Sequence, residues 1–166
     1  MLKLIVGTTG CGKTTYTKSL GLPFLSFDTL WNYTTKVMDY KRLRDFAKKH
    51  QLFVLDGILL NRDPKLNLLI DAIRPHTIDV VLVYTSLEHL YDCQRSTQAR
   101  RDRRAKTGLT KEEETNLNRC VLLNVNKIMQ SLLSENVIES ITYIYRAGGI
   151  YSCFDSDSHF LKIVGE

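Results

Sequence analysis

A glycine-rich loop between an apolar strand and a helix constrains the fold more than any other part of this chain. Residues 2–6 (LKLIV) have the pattern of a buried strand, and residues 13–20 that of a helix that ends near Gly21. Between them, residues 7–14 (GTTGCGKT) show glycine, four residues, glycine, lysine and then threonine. At average residue frequencies this spacing arises by chance in roughly one chain of this length in two hundred. The junction therefore predicts a strand whose following loop wraps an anion.

The composition of this loop suits phosphate. Glycines let backbone N–H groups curl around an anion, and the start of the next helix adds partial positive charge. A lysine at this position reaches the β and γ phosphates of a nucleotide, and the threonine after it ligates Mg²⁺. We therefore expect ATP and Mg²⁺ as cofactors. The residues predicted to bind ATP are Gly7, Thr8, Thr9, Gly10, Cys11, Gly12, Lys13, Thr14 and Thr15, and Thr14 is also a predicted metal ligand.

The rest of the chain alternates apolar strands with amphipathic helices. Further strands are predicted at residues 24–27, 52–55, 78–84 and 141–145, and helices at 39–50, from 64 until Pro75, from 85 into an arginine-rich segment, and onward from 110. This pattern predicts an α/β fold with a five-stranded parallel sheet flanked by helices, in which ligands bind beyond the carboxyl ends of the strands. A last hairpin is expected around residues 155–158. With 166 residues, the chain is expected to form a single domain, residues 1–166.

Two of the helices are expected to begin with a capping box. Thr85 with Glu88, and Thr110 with Glu113, have the spacing in which a hydroxyl and a carboxylate each accept a backbone N–H bond. The second of these helices is long. Its predicted buried face consists of Leu117, Val121, Val125, Ile128 and Leu132.

The net charge of +5 is concentrated in one short segment. Residues 95–106 contain a single acid, Asp102, and six basic residues, so that the remaining 17 basic and 17 acidic side chains balance. Such a segment is typical of an element that binds anions, although a basic run can also be a plain solvated helix face. Charge alone leaves both interpretations open.

With the glycine loop identified, the chain resembles the small P-loop kinases. Two strands that end on a carboxylate, in residues 24–28 (FLSFD) and 53–61 (FVLDGILLN), make it similar to the kinase part of the polynucleotide kinases and their relatives, including phage kinases that phosphorylate hydroxymethylated bases in DNA. The resemblance implies a P-loop NTPase fold, with Asp28 as the base for the acceptor hydroxyl and Asn61 as a substrate-binding residue. Transfer of a phosphoryl group to an alcohol does require such a carboxylate.

The third strand ends on a second carboxylate. Asp56 closes an apolar run in the manner of a Walker B acid, so we expect it to be a metal ligand that supports Mg²⁺. Because no second acid follows Asp56, transfer to an acceptor is favoured over activation of a hydrolytic water. Asp28 and Asp56 would also suit ordinary turns.

The arginine-rich segment lies where P-loop kinases carry a lid. The resemblance places this lid at about residues 92–110 and makes Arg95 and Arg100 the arginines that close on the transferring phosphoryl group. The other three arginines, Arg101, Arg103 and Arg104, are expected to hold nucleic acid or to face solvent. Salt would weaken contacts of this kind.

Aromatic residues follow the expected base. Trp31, Tyr33 and Tyr40 could stack a nucleic-acid base in the acceptor site, and Trp31 is the one we assign to substrate binding. Aromatic side chains after a strand also commonly cover the core, so the pattern does not decide between the two roles.

Three activities fit the sequence. The first is an ATP-dependent kinase that acts on a hydroxyl of nucleic acid, in particular a 5′ end or a hydroxymethylated base in DNA. The second is a nucleoside or nucleoside monophosphate kinase, which would act on free small molecules and depend less on salt. The third is a nucleotide-binding switch with no acceptor, and the lack of an asparagine-lysine-x-aspartate motif counts against its GTPase form.

Cysteine usage and hydropathy narrow the setting. Cys11, Cys93, Cys120 and Cys153 are far apart, with no spacing typical of a zinc site and no secretory leader before the first strand, so we expect reduced thiols and a cytoplasmic protein. No apolar stretch approaches the roughly 20 residues that span a bilayer, so no membrane role is expected. The sequence leaves the oligomeric state open.

Overall fold

The structure is an α/β fold with a mostly parallel central sheet flanked by helices. It is a computed structural model that describes residues 1–58 and 64–165. The strands are β1 (Leu2–Val6), β2 (Phe24–Ser26), β3 (Trp31–Asn32), β4 (Val37–Met38), β5 (Phe53–Ile58), β6 (Ile78–Tyr84), β7 (Ser140–Ala147) and β8 (Ile150–Phe154). The helices are α1 (Lys13–Ser19), α2 (Phe27–Leu30), α3 (Tyr40–Lys49), α4 (Pro64–Ile73), α5 (Leu87–Cys93), α6 (Gln98–Ala105), α7 (Lys111–Ser134) and α8 (Ser158–Phe160), followed by a π-helical turn at Leu161–Gly165.

The order of the strands creates a crevice next to β1. The central sheet has the order β2–β5–β1–β6–β7–β8, and every neighbouring pair except β7–β8 is parallel. The chain leaves β1 through α1 towards β2 on one side, whereas it leaves β6 through α5, α6 and α7 towards β7 on the other. Adjacent strands whose connections diverge in this way open a crevice at their carboxyl ends, where ligands bind in such sheets. The loop after β1 lies at this crevice.

The sheet is covered on both faces at its centre. All seven residues of β6 are buried, as expected for a parallel strand between two layers of helices. The one charged residue in β6, Asp79, accepts hydrogen bonds from Lys3 Nζ at 3.0 Å and from Ser140 Oγ at 2.8 Å. These bonds compensate the burial of its carboxylate.

A bulge in β5 sets the register at the carboxyl edge. Asp56 pairs with Ile5 of β1 on one side and with Ser26 of β2 on the other, whereas Val6 pairs with Ile58. Gly57 is therefore the extra residue, and its φ of 93° lies in the region that favours glycine. Because α2 begins directly after Ser26, this register brings Asp56 beside the segment that carries Asp28.

The C-terminal part of the sheet differs from the prediction. β8 pairs antiparallel with β7 across a turn at residues 148 and 149, so the described sheet has six strands instead of the predicted five. Two consecutive glycines are a hairpin signal that the sequence analysis overlooked. Residues 155–158, predicted to be a hairpin turn, lead instead into α8 and the π-helical turn, which bury Phe160 and Val164.

The predicted capping box at Thr110 is confirmed, and the helix predicted from residue 39 begins with a side-chain cap as well. Thr110 Oγ1 accepts from the N–H of Glu113, and the Glu113 carboxylate accepts from the N–H of Thr110, both at 3.2 Å. The carboxylate of Asp39 accepts from the N–H of Arg42 at 3.0 Å at the start of α3. Polar side chains that satisfy the first free N–H groups therefore fix both helix starts.

The predicted capping box at Thr85 is wrong. α5 begins one residue later, after Ser86, whose hydroxyl accepts from the N–H of His89 at 3.2 Å. Thr85 is buried and donates instead to the carbonyl of Arg146 at 2.8 Å. A bond to the neighbouring strand β7 thus takes the hydroxyl that the local pattern assigned to the helix.

The buried face of α7 is rotated from the predicted one. Leu117 is 49% exposed, whereas Leu122 is 1% exposed. The buried side chains of this helix are Glu114, Asn118, Leu122, Val125, Asn126, Met129 and Leu132. The helical period was predicted correctly, but three buried polar residues were read as solvent-facing, which shifted the phase. Among the described residues, no helix is both long enough and apolar enough to cross a membrane.

The two leucines of α7 test this orientation. We expect Leu122→Ala to lower the free energy of unfolding by about 2–5 kcal/mol, because it leaves a cavity in the core. Leu117→Ala removes the same atoms from a half-exposed site and should cost less than about 1 kcal/mol. Urea unfolding followed by circular dichroism measures both values. Equal losses in the two variants would contradict the orientation of α7.

Candidate active site

The glycine loop fits tightly against the next strand of the sheet. A Cβ atom on Gly7 would lie 2.6 Å from the carbonyl oxygen of Val83 and 2.8 Å from Cys11 Sγ. Gly12, with φ of 95°, precedes α1, and a Cβ there would lie 2.9 Å from Cδ of Arg146. At the first of these positions, only a residue without a side chain allows the backbone to follow its path between β1 and α1.

Lys13 is already held over the loop that precedes it. Its Nζ donates to the carbonyl of Gly7 at 2.7 Å and to that of Thr8 at 3.2 Å. Within the described residues, Oγ1 of Thr8 is buried and has no hydrogen-bond partner. A phosphate could bond both the ammonium group of Lys13 and the unpaired hydroxyl of Thr8 at a loop of this shape. The residues present therefore fit a nucleoside triphosphate.

An open cleft of about 690 Å³ joins this loop to the carboxyl edge of the sheet; we call it the main cleft. It contains most of the predicted nucleotide-binding residues, both predicted carboxylates and one predicted lid arginine. Its lining residues are Thr8, Thr9, Gly10, Gly12, Lys13, Thr14, Thr15, Ser26, Asp28, Asp56, Gly57, Cys93, Ser96, Arg100 and Arg146. Gly7 and Cys11 support the loop from behind, since both are buried. The structure therefore brings together residues that lie as far as 138 positions apart in sequence, from Thr8 to Arg146.

Asp56 is the buried carboxylate of the main cleft. It is 5% exposed, and burial raises the pKa of its carboxyl above the ordinary 3.8. The negative charge of Asp28 also raises this pKa, whereas Lys13 lowers it. Thr14 and Asp56 both line the cleft, so a magnesium ion could be shared by this hydroxyl, this carboxylate and nucleotide phosphates. Among the described residues, no cluster of three or more His, Cys, Asp and Glu forms a cage for a metal.

Asp28 lies at the exposed rim of the main cleft. Its carboxylate accepts a hydrogen bond of 2.5 Å from the phenol of Tyr33, which is 68% exposed. This bond raises the pKa of the Tyr33 phenol, because the neutral form donates the proton. The predicted base is therefore directed at a hydroxyl group even without a substrate.

The two predicted lid arginines occupy different places. Arg100 lines the main cleft, and its Nη1 donates to the carbonyl of Cys93 at 2.8 Å and to Ser96 Oγ at 2.9 Å. Arg95 does not line the cleft. It forms an ion pair with the buried carboxylate of Glu114 and packs over the ring of Tyr91, 3.5 Å from the ring centre. This placement fits a residue that anchors the arginine-rich segment to α7 and does not support contact with the phosphoryl group.

The predicted substrate-binding residues are dispersed. Trp31 stacks on Phe27 with ring centres 5.9 Å apart, and Lys65 Nζ lies 4.6 Å from the centre of the Trp31 ring. Arg101 lines neither the main cleft nor its neighbouring cavity, because its guanidinium bonds the carbonyl of Arg95 and the side chain of Gln98. Arg104 lines that second cavity, which also contains Arg100. The prediction for Asn61 lies outside the described residues.

Sequence reasoning missed one cation of the main cleft. Arg146 lies at the carboxyl end of β7, next to Gly12, and its Nε donates to the carbonyl of Gly148 at 3.1 Å. The signal was available, since a charged residue that directly follows an apolar strand is placed at the ligand-binding edge of a parallel sheet. The predicted strand ends at residue 145, whereas β7 continues to Ala147, so the prediction did not place Arg146 at the end of the strand.

A buried pair of amides that supports the glycine loop was missed as well. Gln94 Nε2 donates to the carbonyl of Thr9 at 3.1 Å and to Asn118 Oδ1 at 3.2 Å, and Asn118 Nδ2 donates back to Gln94 Oε1 at 3.0 Å. The glycine loop is thus tied through the end of α5 to the middle of α7. The signal was Asn118 itself, four residues after Glu114 and four before Leu122 on one helical face.

Comparisons with known proteins identify no family. No family model matches the chain, and no curated protein matches it. One solved structure that resembles it is the crystal structure of a "putative kinase" from Chloroflexus aurantiacus, which is 20% identical, with 60% of this chain and 68% of that chain covered and a TM-score of 0.47. We base neither the fold nor the activity of this chain on that similarity.

The burial of Asp56 has a consequence for stability. Because its pKa is higher in the folded than in the unfolded chain, the folded state binds the proton more tightly, and stability falls as pH rises from about 3.8 through the folded pKa. Asp56→Asn removes this loss. We expect the variant to have a higher free energy of unfolding than the wild type at pH 7 in EDTA, and we expect this difference to shrink towards pH 4. Urea unfolding at several pH values across this range measures the difference. A less stable variant at pH 7 would show that the carboxylate is favourably bonded in the fold.

Proposed function

We propose that this protein is an ATP-dependent phosphotransferase of the P-loop kinase type, which transfers the γ-phosphate of ATP to a hydroxyl of nucleic acid, either a 5′ end or a hydroxymethylated base in DNA. One observation carries the proposal. The glycine loop with Lys13 shares a single cleft with the carboxylate of Asp28, which already accepts a hydrogen bond from a hydroxyl group. A switch without an acceptor would need no carboxylate in that place.

The donor side of the reaction follows from the loop. Bound ATP·Mg²⁺ supplies the transferable phosphoryl group and the metal charge that neutralises its oxygens. Lys13 binds the phosphates from within the loop, and Thr14 and Asp56 are the proposed metal ligands. Arg100 and Arg146 add positive charge around the cleft, where negative charge is redistributed during transfer.

The acceptor side follows from Asp28. Its carboxylate orients the acceptor hydroxyl and takes its proton as the oxygen attacks phosphorus. Tyr33, whose phenol bonds Asp28, is replaced or joined by the acceptor at this carboxylate. Nucleic acid is the acceptor we favour because the whole net charge of +5 lies in the segment beside the cleft, and a polyanion is drawn to such a field.

The most direct test is transfer from γ-labelled ATP to a panel of acceptors. The panel contains hydroxyl-ended DNA and RNA, DNA with hydroxymethyluracil or hydroxymethylcytosine, and free nucleosides and monophosphates. We expect label in polymer, at a position that distinguishes an end from a base. Label in small molecules alone would replace this proposal with a nucleoside or nucleotide kinase, and slow hydrolysis without any labelled product would leave only the switch.

Replacement of Lys13 and Asp28 should separate binding from transfer. Lys13→Ala should abolish transfer and weaken ATP binding, whereas Lys18→Ala on the exposed part of α1 should retain both. Asp28→Asn should retain ATP binding, measured by calorimetry, while transfer falls by about 10²–10⁴-fold. Asp39→Asn is the matched control, because it removes a carboxylate outside the cleft and asparagine caps a helix equally well. Near-normal transfer by Asp28→Asn would contradict the assignment of the base.

A further inference from the structure

A second cavity adjoins the main cleft on the side of α6. It has a volume of about 260 Å³ and is lined by Thr9, Gln94, Arg100, Arg103, Arg104 and Thr107; we call it the arginine pocket. Thr9 and Arg100 line both cavities, so the two adjoin at the glycine loop and share one guanidinium. The pocket is smaller than the roughly 300–1,000 Å³ of sites that enclose a whole small molecule, so it suits one group of a larger ligand.

The lining of the arginine pocket is positive and lacks a counter-ion. Three of its six residues are arginines and none is acidic. Asp102, the only acid of the segment, accepts from Gln98 Nε2 at 2.8 Å on the same helix. Guanidinium groups around one small cavity repel each other, and an anion that enters it relieves that repulsion. The fork of N–H donors on arginine matches the oxygens of a phosphate.

The arginines of this segment divide into two sets. Arg95, Arg100 and Arg101 bond the chain around the start of α6, through Glu114, Cys93 and Arg95 O respectively. Within residues 1–58 and 64–165, the side chains of Arg103 and Arg104 have no hydrogen-bond or ion-pair partner. No residue of α6 is buried, so packing does not account for their presence either. Both line the pocket, where their guanidinium groups are placed to bind an external anion.

We propose that the arginine pocket binds a phosphate group of the acceptor itself, so that the substrate is an alcohol that carries a phosphate monoester or diester near the reacting hydroxyl. This inference rests on the proposed function and assigns particular residues to the recognition of the acceptor's phosphate. The donor phosphates have cations of their own, because Lys13 and Arg146 line the main cleft. Of the two cavities, Arg103 and Arg104 line only the pocket. Arg100 lines both, so in this proposal it lies between the donor phosphates and the acceptor phosphate.

Binding in the absence of ATP tests the pocket directly. The probe is a short, 3′-fluorescent, single-stranded oligothymidylate with a free 5′-hydroxyl, followed by fluorescence anisotropy. We expect the double variant Arg103→Gln/Arg104→Gln to bind it roughly 100-fold more weakly, since each lost bidentate phosphate contact costs roughly tenfold. The variant Arg103→Lys/Arg104→Lys keeps both charges but not the fork and should recover only part of the affinity.

A charge-matched control removes the effect of net charge. Lys106→Gln/Lys111→Gln also loses two positive charges close to α6, and neither residue lines the arginine pocket. We expect this control to weaken binding by roughly threefold or less at moderate salt, where distant charges are screened. Equal weakening in the control and in the arginine variant would overturn the pocket as a site and leave only a general attraction.

Transfer assays at saturating ATP complete the test. Thymidine, thymidine 3′-monophosphate and the unlabelled oligonucleotide all carry a 5′-hydroxyl and differ in having no phosphate, a monoester or diesters. We expect the arginine double variant to raise KM for the two phosphate-bearing acceptors and to leave KM for ATP unchanged. The ratio of kcat/KM for thymidine 3′-monophosphate to kcat/KM for the oligonucleotide shows whether the preferred acceptor is a free nucleotide or a polymer. A raised KM for ATP, or equal use of thymidine by the wild type, would overturn the inference.

The outcomes distinguish failure of the pocket from failure of the proposed function. Selective loss of oligonucleotide binding in the arginine variant, with no transfer by the wild type to any acceptor of the full panel above, hydroxymethylated DNA included, would support the pocket and refute the kinase. Transfer that is insensitive to the acceptor phosphate and to both arginines would support the kinase and refute the pocket.

Discussion

The close approach of the glycine loop to β6 is the constraint on which the site depends. Gly7 lies so near the carbonyl of Val83 that any side chain there would push the loop off the sheet. That contact fixes where α1 begins, and with it the position of Lys13 and Thr14 at the crevice between β1 and β6. The bulge at Gly57 performs the same task on the other side of β1, where it holds Asp56 at the edge of the sheet. Two glycines thus set the two walls of one cleft.

The start of the arginine-rich segment is attached to the glycine loop and to α7 through buried polar groups. Gln94 bonds both the glycine loop and Asn118 of α7, and Arg95 bonds Glu114 one helical turn earlier on α7. Buried amides and charges of this kind cost free energy unless they are paired, so they favour one geometry over others. This arrangement explains why Arg95, although basic and within the expected lid, is placed for anchoring while Arg100 faces the cleft.

The strands and the glycine loop could be predicted from sequence because their signals are local. An apolar run such as residues 78–84, or glycines at fixed spacing, carries its meaning within a few residues. Apart from the hairpin turn at residues 148 and 149, whose signal is local, the misplaced features depend on distant partners. Thr85 bonds β7 instead of capping α5, and Asn118 is buried only because Gln94 pairs with it. Arg146 enters the cleft because β7 runs two residues further than its apolar core, to Ala147. Which arginine faces a cavity is likewise a property of the packed chain.

Asp56 shows how such a site is maintained against its cost to the fold. Burial, and to a lesser extent the charge of Asp28, disfavours the ionised carboxylate of Asp56, and its raised pKa expresses that cost. A cation bound between Asp56 and nucleotide phosphates would reverse the sign of the local field and stabilise the folded state by mass action. The arginine pocket has the opposite imbalance, with three guanidinium groups and no acid. The two sites therefore differ in the charge that would stabilise them: a cation beside the buried Asp56 carboxylate of the main cleft, and an anion among the guanidinium groups of the arginine pocket.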